Sequence, residues 1–297
     1  MDYFNPKKTL GQHFLKDLKI ADKIVNSLNR DKKDLIIEIG PGKGILTQYL
    51  VKKYSNLYLI EIDKDLLPLL KLKFPKLKKK ILNIDFLKFS FDDFIKKKNI
   101  SIIGNFPYNV SSQIIFKIID NIDHIDCLVG MFQKEVAKRI CEKPGSKTYG
   151  IISVLTQLYF DVKYLFTVSP EVFTPKPKVF SGVIYLKKKK KILINCNKKL
   201  LHKIIKTSFQ QRRKTLRNSL KSFKIPKSIT EDSIFDLRPE KFSGSSPTIS
   251  AASSVSSSSI SSAISFAESL LKIFSLKLSS TSARASAVIS LSNNFTM

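Results

Sequence analysis

Near-continuous apolar runs recur through the first 186 residues, and each breaks off into a polar or glycine-containing cluster. They are LIIEIG (35–40), NLYLIEID (56–63), KKILNID (79–85), ISIIGN (100–105) and IDCLVGMF (125–132). An apolar run without strict alternation is what a strand buried on both faces requires, as in a parallel sheet covered by helices. Amphipathic stretches lie between the runs, notably 45–53 and 65–72. Strands alternating with helical segments predict βαβ units and an α/β fold. After Tyr149 the pattern predicts a further helix, then a Pro-rich loop, PEVFTPKPKV, and a last strand, FSGVIYL. Residues 1–186 are therefore expected to form one α/β domain.

The pattern changes twice after that point. The lysine run 187–191 reads as a solvated linker, and 192–242 as a second unit, basic and helical, ending in LRPEKFS. At 100° per residue, Ile205, Phe209, Leu216 and Leu220 share one helical face. Gln210, Lys214, Arg217 and Lys221 share a flank about 100° away, which suits RNA phosphates or, more plainly, solvent. Beyond Ser243 serine dominates and charge nearly vanishes. Such composition specifies little core, so 243–297 is expected to be an inert tail, with FAESLLKIF (266–274) as a short helix. An out-of-frame C-terminus would explain so abrupt a change.

Charge narrows the class of partner. Lys plus Arg number 52 against 24 Asp plus Glu, a formal net charge of +28. That excess draws anions and points to nucleic acid or an anionic membrane, although an AT-rich genome also inflates lysine. No apolar signal core opens the chain, and no run of about 20 apolar residues follows, so a cytoplasmic protein with no membrane partner is expected. Cys127, Cys141 and Cys196 are odd in number and form no CxxC, which argues against a disulfide scaffold or structural zinc. His13, His124 and His202 lack ligand spacing, so no metal is expected.

The chemistry gathers where the apolar runs end, at the edge where open α/β sheets bind ligands. The first run ends in EIGPGKGIL, with Gly40, Gly42 and Gly44 between strand and helix. Glycines there let the backbone turn tightly and approach a ligand. A dinucleotide fingerprint would need a glycine where Ile45 stands, so the nicotinamide reading weakens. Glu61 closes the next run, 19 residues after Gly42, and can accept both ribose hydroxyls of an adenosine-containing cofactor from a strand end outside the core. Asp85 closes the third run, placed to accept from an adenine amine. The fourth ends in Asn105-Phe106-Pro107-Tyr108. The Asn105 amide oxygen and the Pro107 carbonyl can accept the N–H bonds of an adenine N6, whose lone pair is otherwise delocalised into the ring. Tyr108 can stack on the base, worth about 1–3 kcal/mol. Alone, such a segment is an ordinary Asn/Pro turn. Behind a glycine loop, Glu61 and Asp85 it reads as chemistry.

These segments, with KKTLGQHFL, GNFPYNVSS, QKEVAKRI, YGIISVL, FTPKPKVFS, QQRRKTLRNSL and LRPEKFS, closely resemble the ribosomal RNA adenine dimethyltransferases of the bacterial small-subunit type. The resemblance implies a Rossmann-like methyltransferase domain followed by a small helical domain. It also implies S-adenosylmethionine as cofactor, held by His13, Leu15, Gly40, Gly42, Glu61, Asp85 and Asn105. The implied substrate is a pair of adjacent adenosines in the 3′-terminal hairpin of 16S rRNA, each methylated twice on N6 late in small-subunit assembly. A monomer is expected. Phe173, in FTPKP, is read as walling the target-base pocket or as plain core, and Lys214 and Arg217 as RNA contacts. Two other readings stay open: the sister enzymes that dimethylate large-subunit RNA and confer macrolide resistance, and a non-catalytic assembly or transcription factor on the same fold. The serine-rich tail departs from the family, which continues after RPEKFS with a short helix.

Overall fold

The computed structural model describes residues 5–92, 99–144, 146–190, 198–211 and 213–223. The rest of the predicted second unit, Cys196, the serine-rich stretch and its 266–274 segment lie outside the described residues. The chain divides into two compact units. The first holds 1–141 and 159–190; the second holds 142–158 together with the chain from 191 onward. The sequence boundary at 186–192 therefore misses one excursion, because 142–158 leaves the first unit before the chain returns to it.

The first unit is built on a seven-stranded sheet. Its strands in chain order are β2 (Leu35–Ile39), β3 (Asn56–Glu61), β4 (Ile81–Asn83), β5 (Ile100–Asn105), β6 (Ile125–Gln133), β7 (Phe160–Val168) and β9 (Ser181–Lys188), after a short β1 (Phe14–Leu15) that pairs with β8 (Phe173–Thr174). The spatial order is β4-β3-β2-β5-β6-β9-β7. β4 through β6 pair in parallel, whereas β9 runs antiparallel to both β6 and β7. The five apolar runs of the sequence are the five parallel strands, three of them trimmed: 35–40 to 35–39, 56–63 to 56–61, and 79–85 to 81–83. All five residues of β2 are buried, as a two-faced cover demands.

Two sequence expectations need correction here. β7 falls where a helix was expected; its exposed residues Asp161, Lys163 and Thr167 are interleaved with half-buried ones between buried ends, as on an edge strand with one wet face. Lys187 and Lys188 are not linker but the end of β9, and Lys187 bonds Asp126 at 2.5 Å.

Helices cover the sheet because their apolar residues recur at helical spacing. α1 (Leu18–Asn26) buries Ala21, Ile24 and Val25, and starts where the Asp17 carboxylate accepts the Ile20 amide at 3.0 Å. α2 (Thr47–Lys53) buries Leu50, and α3 (Leu67–Lys73) buries Leu70; both join the core beside Ile36, Leu57, Leu59 and Ile103. α4 (Ser111–Asp120) buries Ile114, Ile115, Ile118 and Ile119. α5 (Lys134–Cys141) completes the first unit's described helices.

The second unit contains most of α6 (Ile151–Tyr159), α7 (Lys198–Gln210) and α8 (Leu216–Ser219). Tyr149 and Phe209 meet edge to face within it, centroids 6.2 Å apart. The sequence projected one helix through 205–221. Instead α7 stops at Gln210 and α8 begins at Leu216, so angular positions do not carry across the break. Ile205, Phe209, Leu216 and Leu220 are nonetheless all buried, while Gln210, Lys214 and Lys221 are exposed and Arg217 is half-buried. No described helix is long and apolar enough to cross a membrane.

Candidate functional site

β3 lies on one side of β2 and β5 on the other, so chain connections leaving the carboxyl ends of β2 and β5 diverge. Open α/β sheets bind ligands at such a switch point. A cavity opens there, walled by Glu38–Gly42 from β2, Glu61 from β3, Asp85, the Asn105–Val110 segment after β5, and His13–Leu15 from the N-terminal segment.

The glycine loop is shaped by backbone that other residues adopt only with strain. Gly40 has φ +66° and Gly44 φ +84°. A Cβ on Gly44 would lie 2.4 Å from the Phe74 ring, whereas one on Gly40 would meet nothing within 4 Å. Gly44 therefore lets the loop pack, and Gly40 leaves open space on the cavity side. The loop is a turn from 42 to 46, so the helix expected from residue 45 begins at Thr47.

Glu61 is only 3 % exposed, which corrects its expected place outside the core. Its Oε2 accepts the Gly42 amide at 3.1 Å, and its Oε1 accepts the Asp63 amide at 2.9 Å. The carboxylate thus ties the glycine loop to the β3–α3 turn. Burial raises its pKa, and the Asp63 and Gly42 amides oppose that rise. Each oxygen keeps a second lone pair for a ligand hydroxyl. Asp85 is half-buried; its Oδ1 accepts the Leu87 amide at 2.9 Å, capping a short 3₁₀ turn and leaving Oδ2 as its other acceptor.

Asn105 ends β5, and its Nδ2 donates to the His13 carbonyl at 2.9 Å. A carbonyl only accepts, so this bond fixes the amide orientation and leaves Oδ1 as an acceptor on the cavity wall. The Pro107 carbonyl accepts the Val110 amide at 3.3 Å, a long bond that leaves a lone pair unused. The Tyr108 hydroxyl meets Ser181 Oγ at 2.6 Å, and its ring stacks on His13 with centroids 5.5 Å apart. His13 in turn sets Nδ1 2.7 Å from the Pro175 carbonyl, so that nitrogen carries the proton.

Phe173 does not line the cavity. It is buried at 2 % exposure, paired with Leu15 across β1 and β8, and belongs to the core. Lys214 and Arg217 belong to the second unit.

The contacts that tether the N-terminal segment beside the cavity escaped the sequence reading. Gln12 donates to Asp63 at 2.7 Å, and Lys7 bonds both Asp63 and Asp65 at 2.5 Å, tethering the N-terminal segment to the β3–α3 turn. Burial pushes the Asp63 carboxyl up, but Lys7 and Gln12 together hold it below its ordinary range. Only the fold brings these distant segments together. Glu38 is different: it stands inside the apolar run LIIEI, and an acid in a strand buried on both faces was a legible signal.

Residues 3–237 match the family model described as ribosomal RNA adenine dimethylase. The chain is 52% identical over 243 residues to the ribosomal RNA small subunit methyltransferase A of Flavobacterium johnsoniae, a match covering 82% of this chain and 93% of that one. Among solved structures, a dimethyladenosine transferase from Plasmodium falciparum superposes with TM-score 0.67 at 25% identity, covering 77% of this chain and 92% of that one. The 23S rRNA methyltransferase ErmE superposes with TM-score 0.58 at 22% identity, covering 77% and 96%, a likeness of fold.

Proposed function

The chain belongs to the ribosomal RNA adenine dimethylase family, and from that premise we propose that it transfers methyl groups from S-adenosylmethionine to N6 of two adjacent adenosines in the 3′-terminal hairpin of 16S rRNA, late in small-subunit assembly. It is an rRNA adenine dimethyltransferase. The observation that carries the mechanism is the Asn105 amide, locked by the His13 carbonyl so that Oδ1 is an acceptor on the cavity wall.

The cavity fits an adenosine-containing cofactor. Gly40 has open space before it, Glu61 presents a buried carboxylate at the end of β3, and Asp85 presents a half-buried one after β4. Gly40, Gly42, Glu61 and Asp85 would hold the adenosine part, with His13, Leu15 and Asn105 closing the other wall. S-adenosylmethionine supplies a methyl group already activated on a sulfonium. The protein's task is then positioning, and no strong general base is required.

Asn105 Oδ1 and the Pro107 carbonyl accept the two N6–H bonds, turning the nitrogen lone pair out of the ring. Tyr108, anchored at Ser181 and backed by His13, offers its remaining face to the flipped base. Phe173, buried in the core, supports β1 rather than touching the base. Lys214 and Arg217 contribute to RNA phosphate contacts.

The small-subunit target is favoured over the large-subunit one by identity, 52% to the Flavobacterium relative against 22% to the 23S enzyme. Tritiated methyl transfer to immature small and large subunits, side by side, tests this. Label in the 3′-terminal fragment of 16S rRNA is expected. Label in 23S rRNA, or in neither, would overturn the assignment.

A further inference from the structure

Glu38 is a buried acid for which positioning the target base has no use. It stands one residue inside the end of β2, on the wall of the cofactor cavity, at 1 % exposure. Its Oε2 accepts the Thr47 hydroxyl at 2.7 Å, from the first residue of α2. Its Oε1 is buried with no hydrogen-bond partner among the described residues. A carboxylate so placed is strongly disfavoured, so the group stays the neutral acid unless a cation stands beside it.

The charged neighbour acting on Glu38 is Glu61, from β3; α2 presents the Thr47 hydroxyl, and β5 ends in the uncharged Asn105. Burial, helped by the negative charge of Glu61 and opposed by Thr47, pushes the Glu38 carboxyl up to about 8. The group is thus poised to respond to a positive charge near neutral pH.

S-adenosylmethionine and its product S-adenosylhomocysteine differ by one methyl and by one charge, the sulfonium. We propose that Glu38 is a specificity-determining positioning residue: it ionises against the cationic cofactor, releasing one proton, and remains neutral beside the uncharged thioether of the product. The cavity thereby prefers fresh cofactor and lets product go. The proposal rests on reading the cavity as the S-adenosylmethionine site.

Calorimetric titration of the full chain with each ligand from about pH 6 to 8.5 tests it, with Glu38→Gln as the comparison. Titration of the ligands themselves is common to both proteins and cancels between them. Relative to the variant, wild type should gain preference for S-adenosylmethionine over S-adenosylhomocysteine as pH rises, by at most about tenfold per pH unit for one linked proton. Wild type should also release a proton on binding S-adenosylmethionine, read from buffers of different ionisation enthalpy, and Glu38→Gln should not.

Equal pH dependence in both proteins would overturn the role of Glu38 while leaving the cofactor assignment standing. Failure of wild type to bind either ligand would overturn the cofactor reading itself, and this proposal with it. If Glu38→Gln does not fold, Thr47→Val serves instead. Removing the hydroxyl that stabilises the ionised form should move the wild-type rise in preference to higher pH, and an unmoved profile overturns the proposal.

Discussion

At Glu61 one carboxylate ties the glycine loop to the β3–α3 turn, and it is the group proposed to hold the cofactor ribose. Glu61→Ala should weaken S-adenosylmethionine binding by about a hundred- to ten-thousand-fold, from two charge-assisted bonds at about 1.5–3 kcal/mol each. It should also lower stability, because the Gly42 and Asp63 amides lose their acceptor inside the protein, at about 1–3 kcal/mol per unsatisfied group. Titration calorimetry and thermal melts check the two effects separately, and unchanged affinity would remove Glu61 from the site. Glu38 bears on stability even in the absence of ligand. Its pKa rises on folding from 4.5 to about 8, so the folded state holds a proton that the unfolded state loses. Its contribution to stability is therefore complete below pH 4.5 and declines as pH climbs to about 8. Urea unfolding at about pH 5.5 and about pH 8 should show Glu38→Gln gaining on wild type at the higher pH; parallel behaviour would show that the carboxyl is already ionised. Tyr108→Phe keeps the stacking face and loses the Ser181 bond, so turnover should fall mildly, whereas Tyr108→Ala should lower it severely.

The elements differ in how openly the sequence states them. The parallel strands were legible because burial on both faces leaves few polar positions, and Gly40, Gly42, Glu61 and the NFPY segment at their ends line one cavity. β7 was not legible: FDVKYLFTV has one wet face and follows a helix directly, so its weak alternation competes with helical periodicity. The Lys7–Asp63 and Gln12–Asp63 contacts were invisible because each joins segments more than fifty residues apart, which no local pattern encodes. The break between α7 and α8 was missed because the apolar spacing persists across it. The glycine loop lets packing be separated from binding. Gly44→Ala forces a Cβ to 2.4 Å from Phe74 at a positive φ, and should destabilise the fold by upwards of about 1 kcal/mol. Gly40→Ala bears only the backbone strain, but puts a methyl into the open space before the loop, so it should cost cofactor affinity more than stability. Melting temperature and cofactor Kd, measured on both variants, check this; equal losses of both quantities in the two proteins would contradict it.

Across the whole molecule, the charge of +28 predicts RNA affinity that is mainly electrostatic and strongly salt-dependent. Replacing Lys214 and Arg217 together by glutamine should lower the slope of log affinity against log salt by about 1–2, one phosphate contact each, without altering cofactor binding. An unchanged slope would return both residues to the solvated face. The family match ends at residue 237, and deletion of 243–297 should leave methylation nearly unchanged; a large loss would give the serine-rich stretch a function. In the proposed mechanism the NFPY segment performs the chemistry while many dispersed cations hold the RNA. Mass spectrometry of the 3′-terminal 16S rRNA fragment, after reaction of immature small subunits with wild type and with Asn105→Ala, tests it most directly. Wild type should leave two adjacent dimethyladenosines, and Asn105→Ala should leave those adenosines largely unmodified while binding the subunits almost as tightly. Dimethylation by Asn105→Ala at the wild-type rate would reduce the segment to a turn and contradict the mechanism.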